Sequence, residues 1–140
     1  MFYGVKITQN EEGKFVLSCR DMPEYTASFD SKEEAENFIG EFLPGCMMLF
    51  YRKKQKSIPL PSPVQDDEMP VYVPLKVQTK ILFWNYIKSK ELRMADVAKE
   101  LGVTFTAVSR YCDLTTDSAS VDAIEAALEK LGGHFELTVR

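Results

Sequence analysis

Three carboxylates near the start of the chain, Asp21, Glu24 and Asp30, are the residue types that would hold a divalent cation, because two or three oxygens facing one ion can serve a nuclease. No helical or strand spacing puts them on one face, and turns are rich in solvated acids. There is one histidine, His134, flanked by Gly133 and Phe135, so chemistry that needs two imidazoles is excluded. Cys19, Cys46 and Cys112 lie far apart with no C-x-x-C spacing, which argues against zinc and against a disulfide framework and favours buried thiols. Neither a dinucleotide fingerprint nor a phosphate loop is present. The chain reads as a protein without catalytic machinery, cofactor or metal.

A different chemistry is written between Met94 and Tyr111, in Met-Ala-Asp-Val-Ala-Lys-Glu-Leu-Gly-Val-Thr-Phe-Thr-Ala-Val-Ser-Arg-Tyr. Two short helices that cross steeply need a small residue at their approach and a turn residue tolerant of positive φ, and Ala98 and Gly102 supply them. Val97, Leu101, Val103 and Val108 are the apolar residues expected to face neighbouring helices. Thr104 is placed as N-cap of the second helix, whose outward positions are then Phe105, Thr106, Ser109 and Arg110. Thr106 and Ser109 can exchange hydrogen bonds with base edges, Arg110 can pair with guanine or with phosphate, and the helix start at Thr104 favours an anion. The pattern predicts a DNA-binding helix-turn-helix. The plain alternative is a helical module whose polar residues are only solvated.

Charge supports the first reading when it is counted by region. The 140 residues carry 17 basic and 21 acidic side chains, a net of −4 that looks poor for a nucleic-acid binder. From Lys76 to Arg110 the balance is +4, from Asp113 to Arg140 it is −4, and from Glu11 to Glu41 it is −6. A run of acids is by default a solvated face, and the sharper reading is a surface for a basic partner. Arg52-Lys53-Lys54 with Lys56 follows a predicted helix, where cations suit the carboxyl end.

The elements that must position these groups fall in two halves. Phe2 to Thr8, Phe15 to Cys19 and Tyr25 to Phe29 read as a three-strand meander, with hairpin chemistry at Asn10-Glu11-Glu12-Gly13. Ser31-Lys32-Glu33-Glu34 is a capping box, and Ala35, Phe38, Ile39, Phe42, Cys46, Leu49 and Phe50 make one apolar helix stripe. Pro44 predicts a kink or short break near Gly40 to Phe42. Proline at alternate positions from Ser57 to Pro63 predicts an edge strand or polyproline segment, Gln65 to Met69 a solvated linker, and Val71 to Val73 a short strand. Helices follow over Leu75 to Lys90, Met94 to Leu101, Phe105 to Asp113 and Val121 to Leu131, and Phe135 to Val139 alternates as a closing strand. No apolar run reaches the ~20 residues of a membrane span and Met1 to Asn10 lacks signal-peptide character, so a cytoplasmic protein is expected.

This order of parts resembles the HicB-type antitoxins of toxin–antitoxin systems. The resemblance rests on the Asp21-Met22-Pro23 turn, the cap that includes Glu34-Ala35, the run Ile58-Pro59-Leu60-Pro61-Ser62-Pro63, and Val73-Pro74-Leu75 leading into the helical half. It departs from the pattern at Phe29-Asp30, where relatives often have glycine, and at Pro44-Gly45. The resemblance implies an α+β chain: a partial ribonuclease-H-like β-β-β-α-β domain over residues 1–64, a linker and short strand over 65–74, and an all-α helix-turn-helix domain with a C-terminal strand over 75–140. It implies two partners, a HicA-like toxin that is a small basic ribonuclease and the protein's own operator DNA, bound by a homo-oligomer, dimer or tetramer. Asp21, Glu24, Glu33 and Glu34 are the expected toxin contacts. A free-standing transcriptional regulator with a sensing first domain is the second reading, and a metal-dependent nuclease the third.

Overall fold

A computed structural model describes all 140 residues. Strands β1 (Phe2–Gln9), β2 (Phe15–Cys19) and β3 (Thr26–Phe29) form the meander, and β4 (Met69–Tyr72) joins them on the far side of β1. The sheet order is β3-β2-β1-β4 and every pair is antiparallel. The β1–β2 turn uses Gly13 at φ +80, while the Asn10 side chain accepts from the Glu12 and Lys14 amides at 3.1 and 2.9 Å. Alternation then puts Tyr3, Val5, Leu17 and Cys19 into the core.

Helix α1 (Lys32–Met47) closes that core with Ala35, Phe42, Leu43, Cys46 and Met47. Ser31 caps it by accepting from the Glu34 amide at 3.1 Å. No break occurs at Gly40 to Phe42; the helix runs unbroken through Pro44 and passes into a wide π turn at Met48–Arg52. A turn with i→i+5 bonds, such as Lys53 N to Met48 O at 2.9 Å, accommodates one extra residue, so the apolar stripe slips by one. Tyr51 is therefore buried and Leu49, expected in the core, is half exposed.

The proline run forms no backbone ladder. Proline cannot donate, and side chains replace the missing partners. Asn85 accepts from Ile58 N at 2.8 Å and donates to Ile58 O at 2.9 Å, and the Tyr3 hydroxyl donates to Pro59 O at 2.6 Å. Within Gln65 to Met69, expected as a solvated linker, Gln65, Asp66 and Asp67 are exposed, but Glu68 is not. The Glu68 carboxylate is buried above Gly4, where a Cβ would lie 2.7 Å from its Cδ, and it accepts from Arg20 and from the Gln65 amide.

Helix α2 (Leu75–Ser89) is buried on several sides, because it faces both halves of the chain. Toward the sheet half it presents Trp84, whose indole donates to Lys56 O at 2.8 Å, and Asn85. Toward α3 (Met94–Leu101), α4 (Phe105–Tyr111) and α5 (Val121–Lys130) it presents Phe83, edge-on to Tyr111, and Tyr86, which donates to Leu131 O. The closing strand expected at Phe135 to Val139 is absent. A strand requires a ladder partner, and no element of the chain pairs with this segment, which leaves Leu137 and Val139 exposed. The chain is thus a mixed α+β protein with one four-stranded antiparallel sheet and five α-helices.

Candidate functional site

The helix pair α3–α4 is built from its own residues upward. Asp96 reaches back to the Arg93 amide at 3.0 Å to start α3, and Gly102 ends it in the left-handed region at φ +67, a conformation that costs glycine least. Val97, Ala98, Leu101 and Val108 are buried between the helices; Val103, expected among them, is more than a third exposed because it follows the glycine into the turn. Thr104 then caps α4, its Oγ1 accepting from the Ala107 amide at 3.1 Å. Phe105, Thr106 and Arg110 are exposed on one side of α4. Ser109 is only partly exposed, and its hydroxyl accepts from Arg52 Nη2 at 3.3 Å.

Two supports of this face escaped sequence reasoning. Arg52, at the end of the π turn, donates from Nε to Cys112 O at 3.0 Å and also lies 3.4 Å from the Met94 sulfur, so the sheet half holds both helices of the pair. Its charge lies in the last turn of the helical segment that continues α1, as the local sequence suggests, and also fits the carboxyl end of α4. Lys80, fully buried in α2, donates to Asp113 O at 2.8 Å and Thr116 O at 3.0 Å just beyond α4. Burial pushes its ammonium below the usual lysine range.

The acids of the sheet half separate into two groups. The Asp21 carboxylate accepts from Ser62 N at 3.1 Å and Ser62 Oγ at 2.7 Å. Glu24 accepts from the buried Tyr51 hydroxyl, a bond that holds its carboxyl below the ordinary glutamate range, while burial and that carboxylate push the phenol up. Asp30 pairs with Lys14 at 2.6 Å. Each of the three carboxylates has its own separate partner, so they do not converge on one ion. Glu33 and Glu34, in the first turn of α1, are exposed and unpaired, and Glu41 is exposed two turns on from Glu34. Glu41 was readable in the i, i+7 spacing from Glu34.

A family model described as HicB_like antitoxin of bacterial toxin-antitoxin system matches residues 2–82. The chain belongs to the HicB-like antitoxin family. The matched stretch holds the whole sheet, α1, the proline run and the first half of α2. Among curated relatives, Antitoxin HicB 1 of Photorhabdus laumondii is 31% identical over 139 residues, covering 99% of this chain and 87% of the relative. Antitoxin HicB of Escherichia coli K12 is 28% identical over 139 residues, covering 99% of both chains. Antitoxin HicB of Pseudomonas fluorescens Pf0-1 is 25% identical over 139 residues, covering 99% of this chain and 94% of the relative. No helix is long and apolar enough to cross a membrane.

Proposed function

We propose that this HicB-like antitoxin binds and occludes a small basic HicA-like ribonuclease through its sheet half, and represses its own operon in the cytoplasm through α3–α4 acting as a helix-turn-helix. The observation that carries the reading is the joining of a family-matched sheet half, with free carboxylates at Glu33 and Glu34, to a capped helix pair that exposes Phe105, Thr106 and Arg110. Glu33 and Glu34 meet the toxin's basic surface; Asp21 and Glu24, already bonded to Ser62 and Tyr51, set the shape of the turn beside it. Thr104, through the open start of α4, takes a phosphate oxygen, while Thr106 and Arg110 face base edges and Phe105 the thymine methyl or sugar edge. Ser109 contributes by its tie to Arg52. The operator is met by a dimer or tetramer, since paired half-sites require a two-fold arrangement.

The test of the first half is to mix the purified antitoxin with the protein encoded beside it. We expect a stable complex that no longer cleaves RNA, and a partner that keeps cleaving in excess antitoxin refutes the reading. For the second half, Arg110→Ala weakens operator binding by about 1–3 kcal/mol, the usual worth of a good base contact. A gel shift unchanged by this substitution removes Arg110 from the interface.

A further inference from the structure

The strongest charged feature outside these faces is a strip of lysines on the segment that joins them. Lys53, Lys54 and Lys56 follow the π turn, and Lys88 and Lys90 end α2. The fold brings the two groups together, with Lys88 Nζ donating to Gln55 Oε1 at 2.9 Å. None of the five ammonium groups has a carboxylate within 4.0 Å, whereas Lys6, Lys14, Arg20, Lys32, Lys76 and Arg93 all do. Three of them rest on aromatic faces, Lys54 at 5.0 Å from Phe50, Lys88 at 4.7 Å from Trp84 and Lys90 at 5.5 Å from Tyr86. Glu24, kept ionised by the Tyr51 hydroxyl, faces Lys54 and Lys56, and Glu91 follows Lys90 in sequence, so five lysines stand against two carboxylates and the strip keeps a net positive charge.

Position tells what such a strip meets. Arg52, one residue before Lys53, has its guanidinium on Ser109 and Cys112 O, so the strip borders α4 on the Ser109 side. A helix laid in the major groove has a phosphate chain along each flank, and unpaired lysines there gain affinity by releasing counterions. A basic toxin, in contrast, is repelled by this surface. We propose that Lys53, Lys54, Lys56, Lys88 and Lys90 form a second DNA contact, contributed by the sheet half and α2, that grips the phosphate backbone beside the bases read by α4.

This inference rests on the DNA-binding reading above, and the experiment separates the two. Binding of an operator duplex is measured by fluorescence anisotropy across 50–200 mM KCl for the full-length protein, for Lys53→Gln/Lys54→Gln/Lys56→Gln, for Lys88→Gln/Lys90→Gln and for the same positions changed to Arg. Each lost phosphate contact lowers the salt slope by about 0.9. The triple variant is therefore expected to lose about 2–3 from the slope and on the order of 100-fold in affinity at 0.15 M salt, with the arginine set restoring both. The ratio of operator to scrambled-duplex binding stays at its original value, because phosphates carry no sequence. Original slope and affinity in both glutamine variants, alongside a weakened Arg110→Ala, overturn the strip and leave the helix reading standing. Loss of affinity with an unchanged slope also overturns it, since that marks a fold defect. Failure of the unaltered protein to bind operator at all removes both.

Discussion

Trp84→Ala is expected to destabilise the protein by about 3–5 kcal/mol, the cost of truncating a fully buried indole. The residue joins the halves: its indole NH donates to Lys56 O, Arg52 lies 5.7 Å from the ring centroid and Lys88 lies 4.7 Å from it. Alanine leaves a cavity between α2 and the segment after the π turn, and an unpaired carbonyl at Lys56. Against a typical stability of about 5–15 kcal/mol this is a large fraction. Urea denaturation followed by circular dichroism measures it, with the midpoint falling and the slope conserved. A loss under about 1 kcal/mol would mean that the two halves do not depend on this contact.

That dependence was only partly legible in the sequence. The helix pair was legible almost to the residue, because Gly102, Thr104 and the apolar spacing act locally; α3 occupies the predicted span Met94–Leu101. The meander was legible for the same reason, since a two-residue period and turn residues require no distant partner. What escaped were features set by tertiary contact. The slip of the α1 stripe from Phe50 to Tyr51 follows from one extra residue in the π turn, which no periodicity forecasts. Glu68 looked solvated among Asp66 and Asp67, and only pairing of β4 with β1 carries it over Gly4 beside Arg20. Asp21 and Glu24 looked like free acids for the same reason: Ser62 and Tyr51, their partners, lie 41 and 27 residues away. Alternation at Phe135 to Val139 predicts a strand, yet alternation supplies no ladder.

One side chain from the sheet half, Arg52, reaches α3 at Met94 and α4 at Ser109 and Cys112, so the α3–α4 pair is tied to the sheet half and not hung on a loose tether.

Lys80→Ala is expected to cost about 3 kcal/mol at neutral pH. Its side chain is wholly buried, and its two hydrogen bonds satisfy Asp113 O and Thr116 O, which alanine leaves without donors at roughly 1–3 kcal/mol each. Removal of a desolvated ammonium offsets part of that loss. Lys80→Met separates the contributions, because it keeps the apolar stem and removes only the donors. The pH dependence has a definite sign. Burial lowers the folded-state pKa of Lys80 below its unfolded value near 10.5, so the charged form opposes folding. That opposition is fully present below the folded pKa and fades as pH rises from there toward 10.5, where the unfolded chain also loses the proton. A neutral amine still has two N–H groups, enough for both carbonyls. The stability advantage of the unaltered protein over Lys80→Met is therefore expected to widen as pH rises from 7 toward 10. The comparison cancels the opposite trend of Cys46, whose thiol burial pushes up to about 12 and which disfavours the fold above pH 9 in both proteins; Cys112, also pushed up to about 12, loses the lowering influence of Lys80 in the variant, which adds to the widening. A gap that stays constant or narrows across this window would show that burial does not depress the Lys80 ammonium.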